Sequence, residues 1–327
     1  MNHLLLIRLS ALGDVLMTIP CVDSLARQYP DMRITFAGPV VLRKIFQRLP
    51  ENVDYVCINK REYSGIGGIL RLFRKLSVLR PTHVCDLHDV LRTKAVRLLF
   101  RIFGTPTSHI IKNRKAQRKF LSSQPKFQHE TVFERQISAL ARLGFIVDIG
   151  SFAPFSSVHR TGGVGIAPFA AHKGKIYPLE KMEVVARMLS EQGWSVYVFG
   201  AGKDERALAE RWESKYEGVH SVIGKLSGID EEMDFIAGLD IMISMDSANM
   251  HLASLTTTPV ISIWGATHPY GGFLGRGQSL SNAIQMDDMD CRPCSMYGDK
   301  ACAFGDYPCL DRITPKRIVE KVNELCG

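Results

Sequence analysis

The sequence predicts an α/β protein made of two Rossmann-like domains, and three observations predict it. Short apolar runs alternate with amphipathic segments from the first residues onward, the pattern of parallel strands joined by crossover helices. Residues 145–162, IVDIGSFAPFSSVHRTGG, break that pattern with Pro154, several serines and a glycine pair, after which the alternation begins again. A chain of 327 residues is long enough for two ordinary cores, and 46% hydrophobic with 23% charged residues is a globular composition that argues against disorder. The expected division is a first domain over 1–155 and a second over 156–327, their parallel sheets facing across a cleft.

The elements follow in order. In the first half LLLIRL reads as a strand and VLMTIPCVDSLARQY as its helix, followed by the pairs MRITFAG and VLRKIFQRL, VDYVCIN and GGILRLFRKLSVL, and THVCDL and VLRTKAVRLLFRIF. SHIIK is a further strand, and HETVFERQISALARLG a long helix stopped at Gly144. Beyond the break come GVGIAPF, a helix from about Pro178 to Gly193, WSVYVFG, a helix over DERALAERWES, HSVIG, a helix near GIDEEMDFIAGL, and the strands DIMISM and PVISIWG. In DRITPKRIVEKVNEL, Thr314 is a candidate N-cap and Pro315 the first helical position. This closing helix is placed to dock back on the first domain.

Charge narrows the partners. The chain carries a formal +8, yet residues 71–120 alone hold thirteen basic side chains against two acids, Asp86 and Asp89. Such concentration points to an anionic partner: nucleic acid, an acidic membrane surface or a phosphorylated acceptor, with a solvated helical face as the plain alternative. No stretch approaches the ~20 apolar residues of a membrane helix. Arg8 interrupts the first apolar run too early for a secretory signal, so the expected location is cytoplasmic.

Chemistry-bearing residues gather where strands hand over to helices, the address at which open α/β sheets bind ligands. After the first strand, SALGD supplies Ser10, Gly13 and Asp14, and the carboxylate is either a helix cap or a working group. In the second half, MDSANMHLASL puts Asp246, Ser247 and Ala248 at a helix start with His251 one turn on, a seat for a phosphate. Asp246 is odd there, since a carboxylate repels phosphate unless it caps the helix, accepts ligand hydroxyls or holds a metal. The loop AHKGKIYP offers His172, Lys173 and Lys175 to a diphosphate, and VFGAGKDE offers Gly200, Gly202 and Glu205, the last to a ribose hydroxyl.

Eight cysteines in a chain of this size do not require a disulfide framework. Cys21, Cys57 and Cys85 lie in apolar surroundings and read as packing residues, and Cys326 as incidental. Cys291, Cys294, Cys302 and Cys309 are spaced C-x2-C-x7-C-x6-C, so a structural zinc site is one reading and packing thiols or a disulfide the others.

Taken together, RLSALGDVLMTIP, VCDLHDVLRTKAV, the HKGKIYP loop, VFGAGKDE and MDSANMHLAS resemble glycosyltransferase family 9, the ADP-heptose:lipopolysaccharide heptosyltransferases, in order over nearly the whole chain. The resemblance implies a GT-B fold, with an acceptor domain first and a nucleotide-sugar domain second. It implies that Asp14 is the catalytic base and that Lys175 contacts the donor phosphates. Asp246, Ser247, Ala248 and His251 would form the donor loop, with Glu205 near the ribose and Leu226 along the adenine. It places acceptor contacts at Ser10, Gly13, His88 and Arg92, and the basic charge of Lys115, Arg118 and Lys119 extends them toward an anionic lipid-linked saccharide and a peripheral inner-membrane surface. Two positions depart from the family's pattern: Tyr177 stands for the usual tryptophan, and His88 for the usual glutamine, which bears on acceptor identity.

The activity implied is inverting transfer of a heptose from ADP-heptose to a lipopolysaccharide core, with no cofactor required and no nucleic acid partner. Alternatives are a nucleotide-sugar epimerase of the same shape, against which the basic half argues, and a non-catalytic nucleotide- or anion-binding protein. A dinucleotide oxidoreductase is disfavoured, because SALGD has one glycine where the G-x-G-x-x-G fingerprint needs three.

Overall fold

The structure is a computed structural model that describes residues 2–157 and 159–327; Met1 and Val158, the latter within the predicted linker, lie outside the described residues. The chain forms two compact units. The first comprises residues up to Asn113 together with Glu130–Ala153, and the second comprises Arg114–His129 together with Pro154–Gly327.

The first unit holds strands β1 (His3–Ile7), β2 (Arg33–Gly38), β3 (Val53–Cys57), β4 (His83–Asp86) and β5 (Thr107–His109) in one parallel sheet of order β3-β2-β1-β4-β5. Every residue of β1 is buried, as expected of a central strand covered on both faces. Its helices are α1 (Leu12–Leu16), α2 (Ile19–Gln28), α3 (Arg43–Phe46), α4 (Gly65–Ser77) and α5 (Leu91–Ile102). The helix expected over VLRKIFQRL is the single turn α3 after a 3-10 turn at Val40–Leu42. Leu72 and Leu76 of α4 and Val96 and Phe100 of α5 pack with Leu5, Ile7 and Val84, which sets both helices on one face of the sheet.

Helix α6 (Arg114–Ser122) corrects the expected boundary: with the segment that follows it, it belongs to the second unit. The cause is apolar. Phe120 is 1% exposed and meets the rings of Phe127, His129 and His268, and the His129 amide donates to the Tyr270 carbonyl at 2.8 Å. The chain then returns to the first unit for α7 (Val132–Ala141), opened by a reciprocal cap in which Thr131 and Glu134 satisfy each other's amides.

The second unit holds β6 (Val164–Ala167), β7 (Val196–Val198), β8 (Val219–Ser221), β9 (Ile241–Met245), β10 (Val260–Ile263) and β11 (Ala283–Ile284), all parallel, in the order β11-β10-β9-β6-β7-β8. Around it lie α8 (Leu179–Glu191), α9 (Gly202–Lys215), α10 (Ile229–Ala237), α11 (Ala248–Ala253), α12 (Pro308–Asp311) and α13 (Pro315–Cys326). Thr314 does cap α13, accepting from the Arg317 amide, and Pro315 is its first residue. Ile318, Val319 and Val322 are part of the second unit's own core, and α13 packs on α8. Among the described residues no helix is long and apolar enough to cross a membrane.

Each sheet has one topological switch point, where successive connections leave in opposite directions and the loops part to leave a crevice. In the first unit this is between β1 and β4, whose ends lie side by side with Ile7 opposite Asp86. In the second it is between β6 and β9, with Ala167 opposite Ser244.

Candidate active site

The first switch point gathers a compact polar cluster. Arg8, 6% exposed, follows β1; its guanidinium lies 2.6 Å from Asp14 Oδ2 and also donates to the Leu87 carbonyl beyond β4. Asp14 sits in the first turn of α1, whose N-cap is Ala11, so the carboxylate is not the cap. His88 reaches across from the β4 side: Nδ1 accepts from the Leu9 amide, and Nε2 lies 3.4 Å from Ser10 Oγ. Burial, then the positive charges of Arg8 and Lys112, push the imidazole down to about 3, so it is neutral at pH 7.

Beneath it Asp86 is fully buried and accepts from the amides of His88 and Asp89, both at 2.9 Å, and from Arg97 at 3.2 Å. Burial nevertheless raises its carboxyl above the usual range. Arg97 also bonds Asp89, whose carbonyl accepts from Lys112 at 3.2 Å. Burial, then Arg8, hold the Lys112 ammonium below its ordinary value. The product is a cluster in which three carboxylates, Asp14, Asp86 and Asp89, meet three cations, Arg8, Arg97 and Lys112, beside a neutral imidazole.

The second switch point centres on an ion pair. Lys175, on the loop after β6, lies 2.8 Å from Asp246 Oδ2, just beyond β9, and the Thr267 hydroxyl donates to the same oxygen at 2.8 Å. Asp246 is 4% exposed, so its charge is held by that lysine. The carboxylate is not the helix cap, a place taken by Ser247; it anchors an ammonium. Ser247 is the N-cap residue of α11 and makes no side-chain capping bond, while Ala248 opens the helix and His251 is buried within it.

Glu205 accepts from the Ala201 amide at 2.7 Å and thereby ties the start of α9, with its other oxygen outside that bond. Leu226 is half-buried on the turn between β8 and α10. One further group was not singled out in the sequence: Glu232 of α10, accepting from Asn249 Nδ2 at 2.5 Å, has its carboxyl raised by burial to about 7.

The four late cysteines are not gathered in this structure. Among the described residues no group of three or more His, Cys, Asp or Glu side chains is placed to hold a metal ion, and all four cysteines are free thiols. Cys309 lies in the apolar core, where burial pushes its thiol up to about 11; Cys294 donates to the Cys291 carbonyl, and Cys302 accepts from the Phe304 amide. The cysteine-rich segment braces the lysine loop. Buried Arg292 donates to the carbonyls of Trp264, Gly265, Thr267 and Met286. The Ala266 amide donates to Gly174 and the Cys294 amide to Ala266, both at 2.8 Å.

Of the expected acceptor residues, Ser10, Gly13 and His88 lie together near Asp14, the expected base, and Arg92 lies on α5 of the same unit. Lys115, Arg118 and Lys119 are exposed on α6 and belong to the second unit. Arg8 and Lys112 were missed as site residues. Both follow strands at their carboxyl ends, and the rule that found Ser10 and Lys175 applies to them equally.

The profile of "Glycosyltransferase family 9 (heptosyltransferase)" matches residues 82–301 of this chain. Similar curated proteins include lipooligosaccharide heptosyltransferase 2 of Haemophilus influenzae, 28% identical over 64% of this chain. This chain spans only about half, 55%, of that relative's length. Lipopolysaccharide heptosyltransferase 3 of Escherichia coli is 26% identical over 78% of this chain and 81% of its own. Among solved structures, the Escherichia coli ADP-heptose lps heptosyltransferase II superposes with a TM-score of 0.72 at 19% identity, covering 100% of this chain and 98% of that one, which establishes a shared GT-B-type fold.

Proposed function

The chain belongs to glycosyltransferase family 9, and from that premise we propose that it transfers a heptose from ADP-heptose to a lipopolysaccharide core acceptor with inversion at the anomeric carbon. The observation that carries this reading is the occupation of both switch points by complementary chemistry: a carboxylate at the first, Asp14, and an aimed ammonium at the second, Lys175. The names of its relatives support the donor and the acceptor class.

Asp14 takes the proton of the acceptor hydroxyl as that oxygen attacks the anomeric carbon and the bond to the diphosphate breaks. Arg8 holds the carboxylate in place by its 2.6 Å contact. Neutral His88, with Ser10 and Gly13, borders the acceptor, and Arg92 and Lys112 draw its anionic groups. As charge builds on the leaving diphosphate, Lys175 stabilises it at an angle preset by Asp246 and Thr267, together with the backbone amides of Ser247 and Ala248. His251 lines the donor loop, Glu205 offers an oxygen to the ribose and Leu226 an apolar edge to the base. Lys115, Arg118 and Lys119 attract a phosphorylated, lipid-linked acceptor at the cytoplasmic face of the inner membrane.

The test is product analysis. Protein is incubated with ADP-heptose, ADP-glucose or a UDP- or GDP-sugar and a core lipid acceptor, and the lipid is examined by mass spectrometry. Gain of one heptose from ADP-heptose alone is expected, with Asp14→Asn cutting turnover about 100-fold or more while ADP binding is spared. A sugar nucleotide converted without acceptor, or full turnover by Asp14→Asn, overturns the reading.

A further inference from the structure

Two neighbouring helices of the first unit carry exposed apolar side chains. On α5 the residues turned away from the sheet are Leu91, Lys94, Leu98, Arg101 and Ile102, spaced as one helical stripe opposite the buried Val96 and Phe100. Leu91 is 82% exposed and Ile102 66%, and Phe103 just beyond is 72% exposed. On α4 and its C-cap residue Val78 the outward side chains include Ile66, Leu70, Arg71, Arg74 and Val78, opposite the buried Leu72 and Leu76. The helices are fastened by Phe73 stacking on Phe103 at 5.5 Å and meeting Phe100 at 5.0 Å. Because both pack their inner faces on the same side of the sheet, their outer stripes face the same way.

The charge on this face has one sign. Neither helix contains a carboxylate, and the two acids between them, Asp86 and Asp89, are engaged with Arg97 within the unit. We infer that the α4–α5 face docks on an anionic lipid bilayer, its leucines, isoleucines and Phe103 entering the headgroup boundary while its arginines and lysines meet lipid phosphates. Aliphatic side chains interleaved with basic ones are what an interfacial helix presents to such a surface. A second copy is a poor occupant, because a two-fold interface sets each patch against itself and would oppose two all-basic faces. A nucleic acid is no better, since aliphatic side chains give bases nothing to stack on. The inference deepens the membrane part of the function proposed above and rests on that reading for its biological sense, but vesicle binding is measured apart from transfer.

The experiment compares the full chain with Leu91→Ser/Leu98→Ser/Ile102→Ser and with Arg71→Glu/Arg74→Glu/Arg101→Glu, each checked for native circular dichroism. Sedimentation with phosphatidylcholine vesicles, with and without an equal share of phosphatidylglycerol, reads binding; transfer to a detergent-dispersed acceptor reads catalysis. Expected are binding to the anionic vesicles only, weakened by salt, and a loss of at least ~10-fold in each variant. The serine variant should keep its transfer to dispersed acceptor. Binding by both variants equal to that of the unaltered chain overturns the inference, as does absence of binding by the unaltered chain. So does a concentration-dependent dimer abolished by the serine substitutions, which would make the face a contact between copies. If transfer is absent while vesicle binding behaves as expected, the proposed activity fails and the docking surface stands.

Discussion

At the scale of single residues, buried charge is tolerated where a partner meets it, and the partner then has work to do. Asp246 shows this: removed from water, it holds the Lys175 ammonium at 2.8 Å and so fixes where a positive charge is available. Glu232 is the contrasting case. It accepts from the side-chain amide of Asn249, and burial raises its carboxyl from the ordinary 4.5 to about 7. Between those two values the native state holds a proton that the unfolded chain has lost, so this residue's contribution to stability declines as pH rises through that window and is flat above it. Glu232→Gln removes the titration while keeping an acceptor for Asn249. Its melting temperature should exceed the wild type's by an amount that grows from pH 5 to pH 8, with a limiting gain on the order of 2–3 kcal/mol. An equal difference at both pH values would refute the buried-carboxylate account.

At the scale of elements, the cysteine-rich segment acts as a brace for the loop that carries Lys175. Gly298 has φ +75°, and a Cβ there would lie 2.7 Å from Lys175 Cγ. Gly277 has φ +78° with nothing within 4 Å of a built Cβ, which makes it a matched control for backbone strain. Both alanine variants should lose about 1–3 kcal/mol of stability in urea titrations. Only Gly298→Ala should weaken ADP binding, several-fold by isothermal titration calorimetry, because only it displaces the lysine. Equal effects on ADP would remove the brace from the donor site. The spacing of the four cysteines was plain in the sequence, yet spacing alone does not reveal which thiol enters the core. Cys309 does so because it precedes Leu310, which fits against Gly265.

At the scale of the whole molecule, two sheets with separate cores are expected to give two calorimetric transitions. ADP should shift only that of the second unit, by about 2.7 kcal/mol at one hundred times its dissociation constant. A shift shared equally by both would show that they unfold as one. The sequence by itself determined the class of the protein: strand-to-helix alternation, the all-apolar β1 and the paired loops at strand ends are local patterns, and local patterns are set by side-chain periodicity within a few residues. Ser10, Asp14, Lys175 and Asp246 were legible for that reason, as residues at strand ends. Tertiary structure alone decided the rest. Strand order made the β1/β4 and β6/β9 junctions the crevices, and so brought His88 to Leu9 and Ser10 beside the local Arg8–Asp14 pair and set Asp246 to serve Lys175 across seventy residues of chain. Burial of one side chain, Phe120, carried the basic helix α6 out of the first unit into the second, and the core of the second unit claimed the closing helix. Each of these outcomes depends on contacts between segments far apart in the chain, where apolar area and ion pairing are compared among alternatives that periodicity does not register.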